Sequence, residues 1–346
     1  MHTLRRVFPA LLLLSLAPLG CGEPGGEARE QVFRGDPVPC PKCQFNAAQV
    51  NGSAISALDL TGAPNEQGVA VLQILDPEGH PYTLGVHVDR EEELAAYDDG
   101  VLVAHGEDLV GWVILVDVEG SFQRVVISAR EEEPSWASDA ETIALYALDV
   151  LDDQGGHNVC PGHKPGVPAV TLLHGETYDQ EFKEVDFVGE QWLTLACRDE
   201  AMYKVKRMGY GPNGNQGYDR QPATVAQRTA ALKMVTADYC GTGHSFTESH
   251  TQVLWNNRAM TVKIDSLLQY VAVEAFWDEH GARCLDKPRL VDKAAVLAEC
   301  AIPACSTFSS NSAWEWRTYA PMPLPNGQPP GPNGRGPVWK FLPPNP

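Results

Sequence analysis

The chain has 346 residues, 43% of them hydrophobic, and 26 Lys and Arg against 45 Asp and Glu give it a formal charge of −19. That length and apolar content suffice for buried cores, which excludes a wholly disordered chain, and so negative a surface repels phosphate backbones, which excludes nucleic acid as the expected partner. The acidity sits at the front: residues 40–153 hold 4 Lys and Arg against 22 Asp and Glu, residues 154–346 hold 18 against 19.

In chain order, residues 1–20 read as an export signal, with Arg5 and Arg6 ahead of an apolar run over 7–19 that is too short to span a bilayer as a helix. Leu16-Ala17-Pro18-Leu19-Gly20-Cys21 resembles a bacterial lipoprotein box, which implies diacylation of Cys21 as the first residue of the mature chain. Pro18 stands where such boxes usually carry Leu, and a cut by an ordinary signal peptidase with Cys21 left free is the alternative. Residues 21–39 are Glu, Gly, Pro and Arg with little apolar periodicity, a flexible tether reaching about 24 Å.

Residues 40–153 are expected to form an acidic, β-rich domain. Apolar runs at 69–75, 82–88, 101–105, 109–118, 124–129 and 142–150 are separated by turn signals such as Asp76-Pro77-Glu78-Gly79 and Asp98-Asp99-Gly100, the pattern of an antiparallel β-sandwich or barrel. Over 82–88 the alternation puts Tyr82, Leu84, Val86 and Val88 on one face and Thr83 and His87 on the other. A Gly, Pro, Asp and His-rich stretch at 152–168 marks the expected junction to an α+β domain over 154–319. There, strands are predicted at 169–173, 191–196 and 270–277, and helices at 198–207, 224–237 and 291–300. Thr224 followed three residues later by Gln227 is a capping-box pattern, and Val225, Leu232, Val235 and Tyr239 fall on one side of that helix. The Pro, Gly and Asn of 320–346 predict a disordered tail, so the fold class is mainly β with an α+β second half.

Apart from Cys21 the chain carries Cys40, Cys43, Cys160, Cys197, Cys240, Cys284, Cys300 and Cys305, an even number that in an exported protein predicts disulfides. Proximity suggests Cys40 with Cys43 and Cys300 with Cys305, leaving Cys160, Cys197, Cys240 and Cys284 to crosslink the second half, though eight cysteines permit about 105 pairings. Cys40-Pro41-Lys42-Cys43 also has redox and half-zinc spacing, but no helix start follows to lower a thiol pKa. His157, Cys160 and His163 are zinc-ligand types beside Asp152 and Asp153; an oxidised Cys160 would disable that set, and no metal or other cofactor is expected. Gly243-His244-Ser245-Phe246-Thr247 lacks the closing Gly and the preceding strand of a serine-hydrolase elbow. No catalytic residue is assigned.

Ala237-Asp238-Tyr239-Cys240-Gly241-Thr242-Gly243 resembles the signature of the ADYC-domain family, exported bacterial proteins, many of them myxobacterial, without an assigned activity. Cys197, Lys204 and Gly209-Tyr210 ahead of it, and Val273-Glu274-Ala275-Phe276-Trp277 and Gly281-Ala282-Arg283-Cys284-Leu285 behind it, look like the family's other blocks; Asn46 and Val50-Asn51-Gly52 are similar to its leading region. Val205 and Ala231 stand where the family carries two further cysteines, and the resemblance implies that the retained Cys240 pairs with Cys284. The expectation that follows is a lipid-anchored cell-envelope protein, on the periplasmic or surface face of the outer membrane. It would touch the membrane through its lipid and use its modules as a non-catalytic binding or structural unit for a protein or glycan. An exported, hydrolase-like enzyme using Asp238, Tyr239, His244 and His250 is one alternative, and a cation-dependent adhesin using the acidic front is another.

Overall fold

The computed structural model describes residues 46–321 except 90, 138–141, 152–155, 161–167, 215, 218–220, 250, 252, 263–270 and 309–312. Its first strands are β1 (Ala57–Asp59), β2 (Val69–Leu75), β3 (Pro81–Val88), β4 (Glu92–Asp98), β5 (Val101–His105), β6 (Val113–Val118), β7 (Ser121–Pro134) and β8 (Thr142–Leu151). There follow β9 (His157–Asn158), β10 (Val170–His174), β11 (Glu176–Tyr178), β12 (Val185–Phe187) and β13 (Trp192–Cys197). Among the described residues one antiparallel sheet of eleven strands runs β1-β13-β10-β8-β7-β6-β2-β3-β4-β5, with β9 added to β8; β11 and β12 form a separate hairpin. The sheet coils back on itself. The Leu94 N–H of β4 donates to the Tyr146 hydroxyl of β8 (3.2 Å), and the His174 N–H ending β10 donates to the Glu92 carboxylate (3.2 Å). Ile74, Leu94, Leu109, Ile127, Tyr146 and Leu172 fill the space this encloses.

The remaining elements cover the outside of one wall of that barrel. They are α1 (Ala201–Val205), which continues as a wider helical turn over Lys206–Tyr210, α2 (Val225–Thr236), β14 (Leu254–Asn257), β15 (Val271–Asp278), β16 (Gly281–Leu285), α3 (Lys293–Leu297) and β17 (Trp316–Pro321). A four-stranded antiparallel sheet, β14-β17-β15-β16, closes the layer.

The central strands belong to two cores. On β8, Tyr146, Leu148 and Val150 face the barrel, while Ile143 and Leu145 face the helices; Leu172 and Leu173 of β10 divide the same way. A strand buried on both faces reads as a continuous apolar run, and Ile143-Ala144-Leu145-Tyr146-Ala147-Leu148 is one. The main sheet therefore takes strands from both sides of residues 152–168: β8 pairs with β10 through Tyr146 and Val170, and residues 39–329 form one compact unit.

Several predicted elements change in extent. The run at 109–118 is a short turn over Gly106–Leu109 followed by β6, because Gly111 takes φ +93° between them, and the run at 124–129 lengthens to the fourteen residues of β7. The helix at 198–207 shifts to begin at Ala201, as α1 and its wide turn to Tyr210, inside which Gly209 takes φ +79°, and that at 291–300 shortens to α3. Thr224 caps α2 as its sequence indicates: its hydroxyl accepts the Gln227 N–H (3.2 Å), and the Gln227 side chain accepts the Thr224 N–H (2.9 Å). From Arg228 to Thr236 the helix is buried all round, not on one side.

Candidate functional site

The family tetrapeptide lies where α2 ends. Ala237 takes the left-handed conformation (φ +51°), which turns the chain back under the helix and buries Asp238 completely. One Asp238 oxygen accepts the Thr242 N–H (3.1 Å); the other accepts the Gly243 N–H (2.9 Å) and faces the equally buried Lys233 ammonium at 3.3 Å. Lys233 also donates to the carbonyls of Phe182 (2.7 Å) and Gly241 (3.4 Å). The turn that Asp238 clamps needs its glycines: a Cβ on Gly241 would overlap the His280 carbonyl, and one on Gly243 the Glu181 carbonyl.

Tyr239 points the opposite way, into the layer between α2 and β15. Its hydroxyl donates to Glu274 and accepts the Arg289 N–H (3.2 Å), while Arg289 Nε donates to the same Glu274 oxygen (2.7 Å). Its ring stacks on Trp277 with centroids 5.1 Å apart. Burial, reinforced by the Glu274 charge, holds the Tyr239 phenol well above the ordinary tyrosine range, so it is a neutral donor. Among the described residues Arg289 Nη1 and Nη2 have no hydrogen-bond acceptor, and the guanidinium lies 5.8 Å from the Trp277 ring, where cation–π attraction offsets part of its burial.

Cys240 is bonded to Cys300, just beyond α3, and Cys284 of β16 to Cys305; Cys160 is bonded to Cys197. The expected Cys240–Cys284 and Cys300–Cys305 links are thus replaced. Residues 300 and 305 each meet a partner distant in sequence, the first Cys240 beyond the end of α2 and the second Cys284 on β16. Cys21, Cys40 and Cys43 lie outside the described residues.

The remaining candidates do not converge. His244 is exposed and pairs with Glu299 (2.8 Å), Ser245 donates to the Ala48 carbonyl (3.0 Å), and His250 lies outside the described residues. With its sulfur in a disulfide, Cys240 offers no thiolate for an imidazole to activate. Cys160 is spent in the same way, His157 sits on the exposed strand β9 and His163 lies outside the described residues. Among the described residues no group of three or more His, Cys, Asp or Glu is arranged to hold a metal ion.

The groups that complete the motif were not singled out by the sequence reading. Lys233, Arg289 and Lys183 are buried cations, and burial, with Lys233 close by, draws the Lys183 ammonium below the ordinary lysine range. The signal available was local: Lys233 interrupts the apolar run Ala230-Ala231-Leu232-Lys233-Met234-Val235. The leading segment does similar work. Lys204 donates to the Asn46 carbonyl (2.8 Å), while the Asn51 side chain donates to the Leu195 carbonyl (2.8 Å) and accepts the Cys197 N–H (3.1 Å). Val205 and Ala231 are buried in one core, on helices that pack against each other.

In comparisons with known proteins, residues 106–291 match the ADYC domain. No curated protein and no solved structure matches the chain. The match covers more than half of the chain and contains the clamped turn, the buried tyrosine and the bonded cysteine described above, so this chain belongs to the ADYC-domain family.

Proposed function

We propose that the chain is an exported, lipid-anchored cell-envelope protein whose ADYC module is a non-catalytic binding or structural unit. The observation that carries this reading is the disulfide between Cys240 and Cys300, which leaves the motif without a free thiol, while Asp238 and Tyr239 are buried in hydrogen bonds that hold the fold. Among the described residues three disulfides fit an oxidising, non-cytoplasmic compartment, and no helix is long and apolar enough to cross a membrane. The leader and Cys21 then supply the route and the anchor, with the outer membrane as the membrane reached and a protein or glycan as the ligand. The test is non-reducing peptide mapping with intact-mass analysis of protein purified from a bacterial host, beside a Cys21→Ser variant. Expected are a diacylated Cys21, a Cys240–Cys300 link, and release of the variant from the membrane fraction. An unprocessed leader with reduced cysteines would overturn the proposal.

A further inference from the structure

The hairpin of β11 and β12 is stiffly built and carries an unusual surface. Asp179 accepts the N–H groups of Glu181 and Phe182 (both 2.7 Å), its carbonyl accepts the Lys183 N–H (3.0 Å), and its own N–H donates to the Glu184 carbonyl (2.8 Å). From below, Lys233 holds the Phe182 carbonyl and Gly243 lies against the Glu181 backbone, so the family motif fixes this turn in place. On it Phe182 is 49% exposed, Phe187 62% and Val188 37%. Interleaved with them, Glu181, Glu184, Asp186 and Glu190 are exposed. The only cation between residues 179 and 190, Lys183, is turned inward and buried.

Singly exposed apolar side chains are ordinary on a soluble protein. Two phenylalanines within six residues are a different matter when the backbone is pinned and the one neutralising lysine is withdrawn, because an ordered aromatic loses little entropy on docking. Resting on the binding-module reading, we infer that this hairpin is a docking surface for a protein partner that offers an apolar pocket rimmed by Lys and Arg. Charge complementarity names the occupant: five carboxylates in residues 179–190 face a single buried lysine, which repels anionic headgroups and phosphate backbones and attracts a basic rim.

The test is selection of phage-displayed random peptides on the full chain. Selected peptides are then titrated against the parent, a Phe182→Ser/Phe187→Ser variant and a Glu184→Lys/Asp186→Lys variant, at low and high salt. All four positions are exposed, so the variants keep the parent melting temperature and circular dichroism, which are measured alongside. Expected are peptides combining Lys or Arg with Leu, Ile or aromatic residues, affinity about tenfold or more weaker for either variant, and weaker binding at high salt. Failure to enrich peptides, enrichment of peptides without cations, binding unchanged in both variants, or self-association abolished by the variants would each overturn this assignment. Failure of the broader reading would appear instead in the lipid and thiol map.

Discussion

Lys233 and Asp238 face each other with no solvent between them, Nζ 3.3 Å from Oδ2, across the left-handed residue that ends α2. The same ammonium reaches the Phe182 carbonyl of the β11–β12 turn, and the same carboxylate holds the Thr242 and Gly243 N–H groups. The first polar residue of the family motif thereby joins a helix end, a glycine turn and a surface hairpin.

A buried pair of this kind is revealed by breaking it, since removing one partner leaves a desolvated charge. Lys233→Met is expected to lose about 3–5 kcal/mol in urea unfolding, and the double variant with Asp238→Asn to lose clearly less than the sum of the two single losses. Additive losses would show that the two groups act independently.

Gly243 and Gly79 both hold positive φ, at +88° and +91°, but only Gly243 has a carbonyl where a Cβ would go; nothing lies within 4 Å at Gly79. Gly79→Ala is expected to cost about 1 kcal/mol, the backbone cost alone, and Gly243→Ala well beyond that because the Glu181 backbone must move. Thermal unfolding of the two variants compares them directly, and equal losses would remove the steric argument.

Glu176 is buried on β11 beside Arg228, and burial pushes its carboxyl up to about 7, with Glu92 adding to the rise and Arg228 opposing it. The folded state therefore keeps a proton that the unfolded chain releases near 4.5, so the stabilisation is complete below that pH and lost as pH rises to 7. The loss amounts to about 3 kcal/mol. Calorimetry at pH 5 and pH 7.5 should show the chain less stable at the higher pH, with the difference smaller in Glu176→Gln. A parallel pH profile in that variant would assign the titration elsewhere.

Unfolding the oxidised chain in denaturant and mapping it without reductant should give Cys160–Cys197, Cys240–Cys300 and Cys284–Cys305 peptides and no thiol from these six. Replacing both Cys240 and Cys300 by Ser is expected to cost about 2–5 kcal/mol. A Cys240–Cys284 peptide would contradict the bond from Cys240 to Cys300 beyond α3.

Local chemistry made some of this legible in the residues themselves. The Thr224 and Gln227 box depends on atoms three residues apart, and the runs that became β2 and β8 carry their burial in their apolar composition. β4 was missed because Glu92-Glu93-Leu94-Ala95-Ala96-Tyr97-Asp98 reads as charge and alanine. Its strand form depends on pairing with β3 and β5 and on Lys206 meeting Glu92 at 2.6 Å. β17 was missed beside the Pro-rich tail, since Trp316-Arg317-Thr318-Tyr319 is too short a run to declare itself without β14 and β15 on either side.

By itself, the amino-acid order determined the β-rich class, the acidic front, the capped helix and the family, because each is written in near neighbours or in composition. Tertiary structure alone decided which cysteines are bonded, that Lys233, Glu274 and Arg289 complete the motif, and that one sheet serves both halves. Those outcomes turn on which distant segments share a dry interior, where a charge or sulfur must take the partner that packing brings to it.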